Sequence, residues 1–159
     1  MLKVGDIAPD FETVDEQGTP FKLSNLRGTK LVLYFYPKDF TPGCTMEACS
    51  LRDDYQLFEN ASIPIFGVSG GSAELHQKFR AKHNLPFHIL MDENLDIADL
   101  YSAKSRLSIL GIGVKRITYL IDEEGRIEGI FGGSEGSDKV RSKAHASQIS
   151  QFWGLKIET

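Results

Sequence analysis

The run Leu31-Val32-Leu33-Tyr34-Phe35-Tyr36, stopped by Pro37, constrains this chain more than any other segment. Six successive apolar or aromatic residues without polar alternation predict a strand buried on both faces, and such a strand needs a layer of structure on each side. Pro37 ends it, because proline has no N–H to give a ladder. Thr41-Pro42 then reads as a helix start: Thr at N-cap accepts a hydrogen bond from a first-turn amide, and Pro at N1 loses nothing by lacking its own. On that count Cys44 is the third helical residue. A thiolate there faces the positive end of the helix dipole and the unpaired amides, which favours the ionised form.

Cys49 is the only other cysteine among 159 residues, and both lie within one six-residue window. A disulfide closing so short a loop removes little chain entropy, so the pair reads as reactive rather than as a staple. The length suits a single domain over residues 1–159, large enough to bury most of its surface without cross-links. At 41% hydrophobic and 25% charged residues the composition is globular. The net charge of −4, with no run pairing basic and stacking residues, argues against nucleic acid. Residues 1–20 carry Asp6, Asp10, Glu12, Asp15 and Glu16 against one lysine, the opposite of a basic leader before an apolar core. The expectation is a cytoplasmic chain with no membrane association, in a reducing compartment that suits a cycling thiol pair.

Phe11 to Val14 and Phe21 to Leu23 flank Asp15-Glu16-Gln17-Gly18 and predict an N-terminal hairpin. A helix is expected from the Thr41 cap to about Asn60, a strand over Ile63 to Val68, and a helix from about Ser72 to His83 with Leu75 and Phe79 on its apolar face. A short strand at Phe87 to Met91 and a short helix at Leu95 to Tyr101 follow. Ser102 to Val114 has no clear period, and Gly111 and Gly113 argue for a loop. Ile117 to Ile121 and Arg126 to Phe131 form a hairpin around Asp122-Glu123-Glu124-Gly125, and a last helix is expected from about Ser137, with Ser137 and Asp138 as cap candidates, to Trp153. This α/β order predicts a central mixed sheet with helices on both faces, the order of the thioredoxin fold, and a functional crevice at the carboxyl ends of its parallel strands.

The residues Pro37-x-x-x-Thr41-x-x-Cys44 resemble the peroxiredoxin signature. Thr41-Pro42-Gly43-Cys44-Thr45-x-Glu47-Ala48-Cys49 is similar to its peroxiredoxin Q, or bacterioferritin comigratory protein, subfamily. Val4-Gly5-Asp6-x-Ala8-Pro9-Asp10-Phe11, Gly67-Val68-Ser69, Leu85-Pro86-Phe87 with Asp92, and Arg116-x-Thr118-Tyr119-Leu120-Ile121-Asp122 extend the likeness over most of the chain. Ile117 and Phe131 depart from it, standing where a small hydroxyl residue and Trp are usual.

The resemblance implies a thiol peroxidase with Cys44, Thr41, Pro37 and Arg116 in the active site and Cys49 as resolving thiol. Its substrates would be hydrogen peroxide and alkyl hydroperoxides, its reductant thioredoxin or a similar dithiol protein, its state a monomer, and it would need no bound cofactor. Thiolate attack on a peroxide leaves a sulfenic acid and puts negative charge on the departing oxygen. Arg116 could stabilise both anions through separate N–H groups. Thr41 could accept from a helix amide and still donate to the peroxide or the sulfur. Pro37 could wall the sulfur from water. On one regular helix Cys44 and Cys49 stand about 9 Å apart at Cα, beyond the bridging limit of about 7 Å, so the first turns must unwind before a disulfide forms. Gly43 lowers the helix propensity of the turns that would open.

Blander roles compete for several of these residues: a buried small side chain for either cysteine, a solvated strand position for Arg116 with Lys115 and Arg126 as confusable neighbours, a cap alone for Thr41. A thioredoxin-like disulfide oxidoreductase is the alternative enzyme, disfavoured because Cys-x-x-x-x-Cys lacks i,i+3 reach. A redox-sensing module is the alternative outside enzymes. His76, His83, His88 and His145 are scattered without ligand spacing, so no metal is expected. Gly132-Gly133-Ser134-Glu135-Gly136 lacks the Lys-Ser/Thr of a phosphate loop. Phe152 and Trp153 are expected to dock the last helix on the sheet.

Overall fold

A computed structural model describes residues 1–105, 113–133, 136 and 138–156. Leu31–Phe35 forms the central strand β3, with Leu31, Leu33 and Phe35 in one hydrophobic layer and Val32 and Tyr34, followed by Tyr36, in the other. It follows a two-stranded antiparallel hairpin of β1 (Glu12–Val14) and β2 (Pro20–Lys22). The main sheet also contains β4 (Ile65–Ser69), β5 (His88–Met91), β6 (Ile117–Ile121) and β7 (Ile127–Phe131), in the order β5-β4-β3-β6-β7. β3, β4 and β5 run parallel, while β6 and β7 are antiparallel to their neighbours, so the sheet is mixed as expected.

Helices cover both faces. On the Tyr34 side lie α1 (Pro42–Asp53), α2 (Tyr55–Asn60), α3 (Ala73–His83) and α5 (His145–Trp153), which bury Ala48 and Leu51, Phe58, Phe79, and Ala146 and Ile149 in turn. On the Leu33 side, α4 (Asp96–Leu100) packs Ile97 and Ala98 beside Phe11 and Leu23 of the N-terminal segment. This is the thioredoxin fold with an added hairpin.

Three elements differ from expectation. The helix after Cys44 is broken at Asp54, a residue of low helix propensity, and the short second piece turns Phe58 inward. In α3 the buried residues are His76 and Phe79, with Leu75 only half-buried, because His76 finds a polar partner beneath it. The last α-helix starts at His145. Before it, Asp138 bridges Phe131 in parallel, Arg141 is extended, and a 3-10 turn at Ser142–Ala144 leads in. Ser137, one of the two expected caps, lies outside the described residues, as do 106–112 of the expected loop; the described flanks of that loop pair through Lys104 and Val114. Phe152 and Trp153 do reach β7: the Phe152 ring packs on Phe131, and Trp153 Nε1 donates to Glu128 at 2.8 Å. Among the described residues, no helix is long and apolar enough to cross a membrane.

The inward stripe of α1 is Cys44, Glu47, Ala48 and Leu51, spaced i, i+3, i+4, i+7. Leu51→Ala should therefore cost about 2–5 kcal/mol. Met46→Ala, on the exposed face, should stay within about 0.5 kcal/mol. Urea melts of the two variants compare the faces directly.

Candidate active site

β3 delivers the chain to the carboxyl end of the parallel strands, and a short tethered loop turns it into α1. Pro37 is half-buried at the bend after Tyr36. Tyr36 Oη donates to Asp39 Oδ1 at 2.6 Å, and Asp39 Oδ2 meets His76 Nδ1 at 2.5 Å, all buried. His76 Nε2 faces the Ser69 carbonyl at 3.3 Å, which only accepts, so Nε2 is the donor there. Phe40 sits in the left-handed region at φ 65° and packs edge-on against Phe79. A non-glycine residue there stores of order 1 kcal/mol of strain, which the buried tether offsets.

Thr41 occupies the N-cap of α1, and Cys44 is the third helical residue. The Thr41 hydroxyl does not cap the helix. It donates to the Lys38 carbonyl at 2.7 Å, back into the loop. This corrects the expected hydrogen bond while leaving Thr41 at the site: its proton is committed to the loop, and its oxygen keeps lone pairs that can accept.

Cys44 is buried, at 1% exposure, and unbonded to Cys49. Arg116, just before β6, reaches across the sheet end and donates through Nη2 to Cys44 Sγ at 3.2 Å and through Nη1 to Glu47 Oε1 at 2.7 Å. Lys115 is exposed, and Arg126 donates instead to the Gly5 carbonyl, so the confusable neighbours are elsewhere. Two glycines make room for the guanidinium and its backbone. A Cβ on Gly43 would lie 3.0 Å from Arg116 Nη2, and one on Gly132, at φ +82°, would lie 2.3 Å from the Arg116 carbonyl oxygen.

Glu47 was not singled out by the sequence. It is fully buried, and burial pushes its carboxyl up to about 7, against the pull of Arg116. A carboxylate three residues after the cysteine on the inward stripe was the available signal. Its second oxygen, Oε2, has no hydrogen-bond partner among the described residues. His145 Nε2 stands 3.6 Å from it, and burial holds that imidazole down to about 4, aided by Arg116, so the two do not form an ion pair at neutral pH. No local pattern marks His145.

Cys49 is half-buried on α1, with its sulfur 3.8 Å from His83 Nδ1. Both cysteines lie on one continuous helix, so the separation of about 9 Å expected from helix geometry applies. His88 lies with Asp15 and Glu16, where Arg80 Nη1 reaches Glu16 at 3.1 Å and supplies a counter-charge.

The chain matches the AhpC/TSA family over residues 4–130. It is 45% identical over 153 residues to peroxiredoxin Bcp of Bacillus subtilis, covering 94% of each chain, and 38% identical to peroxiredoxin Bcp of Escherichia coli, covering 82% of this chain and 85% of that one. The crystal structure of peroxidoxin BcpB from Mycobacterium tuberculosis superposes with a TM-score of 0.83 at 32% identity, covering 99% of this chain and all of that one. A bacterioferritin comigratory protein structure from Xanthomonas campestris gives 0.82 at 27% identity, covering 97% of each chain. A buried thiol at the start of the helix after the central strand, joined to a guanidinium, agrees with those likenesses, and the chain belongs to the AhpC/TSA family, among its peroxiredoxins of the Bcp and peroxiredoxin Q type.

Proposed function

We propose that this thiol-dependent peroxidase reduces hydrogen peroxide and alkyl hydroperoxides by attack of Cys44, forms an intramolecular disulfide with Cys49, and is recycled by thioredoxin or a similar dithiol protein. The observation that carries the reading is the Arg116 guanidinium, which donates to Cys44 Sγ and Glu47 at once. The Cys44 thiolate donates an electron pair to the terminal peroxide oxygen. The S–O bond forms, the O–O bond breaks, and the departing alkoxide takes a proton, leaving a sulfenic acid. Arg116 steadies the thiolate first and the alkoxide as it develops, and a delocalised fork can serve both without moving far. Thr41, with its proton committed to Lys38, accepts from the peroxide O–H and aligns it. Pro37 closes one side with a ring that carries no donor.

The alkyl part has a surface to lie on. Phe40 and Met46, on either side of the Thr41–Cys44 turn in sequence, are large apolar residues with 42% and 36% of their surface exposed. Alkyl peroxide reduction is the activity of the Xanthomonas campestris bacterioferritin comigratory protein, 27% identical to this chain, which favours the same substrate class.

Resolution requires the helix to open. A buried Cys44 and a Cys49 about five helical residues away cannot meet while α1 is intact, so the sulfenic acid and the thiol come together only after the first turns unwind. The Asp39–His76–Ser69 tether stops that opening from spreading back into β3.

Three outcomes are expected. In a peroxide-consumption assay with a thioredoxin system, Cys44→Ser should be inactive, while Cys49→Ser should be oxidised once and turn over only with an added small thiol. Unchanged thioredoxin-dependent turnover of Cys49→Ser would refute its resolving role. Arg116→Lys keeps the charge but not the fork, and should lower kcat/KM about 100-fold in stopped-flow oxidation. Hydrogen exchange should show residues 44 to 55 protected in the reduced enzyme and exchanging in the disulfide form; equal protection in both would overturn the unwinding step.

A further inference from the structure

Glu47 Oε2 is a fully buried carboxylate oxygen with no hydrogen-bond donor among the described residues, although a histidine ring stands 3.6 Å away. The reason lies in how that ring is held. Gln148 Nε2 donates to the Lys139 carbonyl at 2.8 Å, which orients the amide and leaves Oε1 as an acceptor. That oxygen accepts from Arg141 N at 2.9 Å and from His145 Nδ1 at 2.9 Å, so Nδ1 carries the imidazole proton. In the neutral ring Nε2 is then a bare lone pair. Thr118 Oγ1, at 2.7 Å, donates to it. The edge of His145 nearest Glu47 therefore has no proton to give and a lone pair already occupied.

We propose that His145 is a positioning residue for the peroxidase reaction, holding Glu47 as the internal acceptor of the proton that Cys44 releases. Among the described residues, the groups facing Glu47 are Tyr34 from β3, Arg116 before β6, His145 from α5, and Cys44 on its own helix. Tyr34, pushed well above its ordinary range by burial first and the Glu47 charge next, stays neutral, and so does His145. One permanent cation thus faces two groups that can be anionic. Burial favours the arrangement with a single negative charge: carboxylate with thiol, or neutral acid with thiolate. Passing the proton from Sγ to the carboxyl converts the first into the second with no change in net charge. A donor on Oε2 would lock the carboxylate and oppose the thiolate; His145 withholds that donor. Burial that brings Glu47 to about 7 is consistent with a carboxyl able to take the proton near neutral pH.

The inference rests on Cys44 as the attacking thiol, and it is tested by reading ionisation without any peroxide, so it can fail while the peroxidase assignment stands. In the full chain carrying Cys49→Ser, thiolate absorbance near 240 nm reports Cys44 alone, with the double cysteine variant as blank. His145→Gln places an amide N–H toward Oε2 and should raise the titration midpoint by roughly half a pH unit or more. Thr118→Val frees the Nε2 lone pair to accept from the protonated Glu47 carboxyl, and should lower the midpoint. Both shifts should vanish in a Glu47→Gln background, where the residue is neutral at every pH. Opposite signs that depend on Glu47 are not what a loosened fold produces. Shifts of the same sign, no shift, or shifts that survive Glu47→Gln would overturn the proposal.

Discussion

Placing a guanidinium between two anion-forming groups in a largely dry space is the constraint around which this molecule is arranged. A buried charge costs several kcal/mol unless its donors and acceptors are met, and losing one partner of a buried pair costs about 3–5 kcal/mol. Arg116 meets Cys44 and Glu47 through separate nitrogens, at 3.2 and 2.7 Å. Those partners come from one face of α1 and the cation from the residue just before β6, the strand beside β3, 72 and 69 residues away in sequence. The contact therefore exists only when β6 is paired antiparallel to β3 and α1 lies across the same layer. The glycines at 43 and 132 are the local accommodation: each removes a Cβ that would press on Arg116 itself.

On the proposed mechanism the same helix has to be both well packed and able to open. Its inward stripe places Ala48 and Leu51 in the layer under Tyr34 and Tyr36, and Arg52 Nη1 donates to the His83 carbonyl at 2.8 Å, tying its far end to α3. The near end has less to hold it. Thr41 gives it no side-chain cap, Pro42 contributes no N–H, and Gly43 is among the poorest helix formers. Stability is thus graded along α1, lowest in the turn that carries Cys44. The loop before it is held more firmly, through Tyr36, Asp39 and His76, so unwinding has a defined upstream limit.

How much of this could be read from the chain follows the range of the interaction concerned. β3 was legible because burial on both faces leaves an unbroken apolar run, and the start of α1 because Thr-Pro is a local signal. The break at Asp54 and the late start of α5 were not, since both are decided by tertiary contacts: Phe58 turning inward, and Gln148 bonding the backbone of Lys139 and Arg141. Pro37, Thr41, Cys44 and Cys49 are local to one motif, which the structure lays out along the loop and α1, with Cys49 further down the helix than Cys44; Arg116, the residue joined to Cys44, needed the resemblance to set it apart from Lys115 and Arg126. The Thr41 hydroxyl was misjudged because its acceptor, the Lys38 carbonyl, depends on the shape of the loop. Glu47 was within reach, as a charge on an otherwise apolar stripe. His145 was not, because its partners Thr118 and Glu47 lie on other elements and only the closed sheet brings them together.

On the proposed cycle, the chemistry and the opening of α1 are linked by charge. Before attack, the anion on Cys44 sits at the helix N-terminus and accepts from Arg116, an arrangement that stabilises the first turn through both the dipole and a charge-assisted hydrogen bond. Attack turns that sulfur into a neutral sulfenic acid, and both contributions weaken together. Arg116 keeps Glu47 on its other nitrogen, so the loss falls on the turn containing Cys44 and not on the body of the helix. Oxidation thereby removes what held closed the turn where unwinding begins as Cys49 approaches, and reduction back to the thiolate restores it. A helix start with no side-chain cap and a glycine at its second position is what such a switch requires: stable while the thiolate is present, marginal once it is spent.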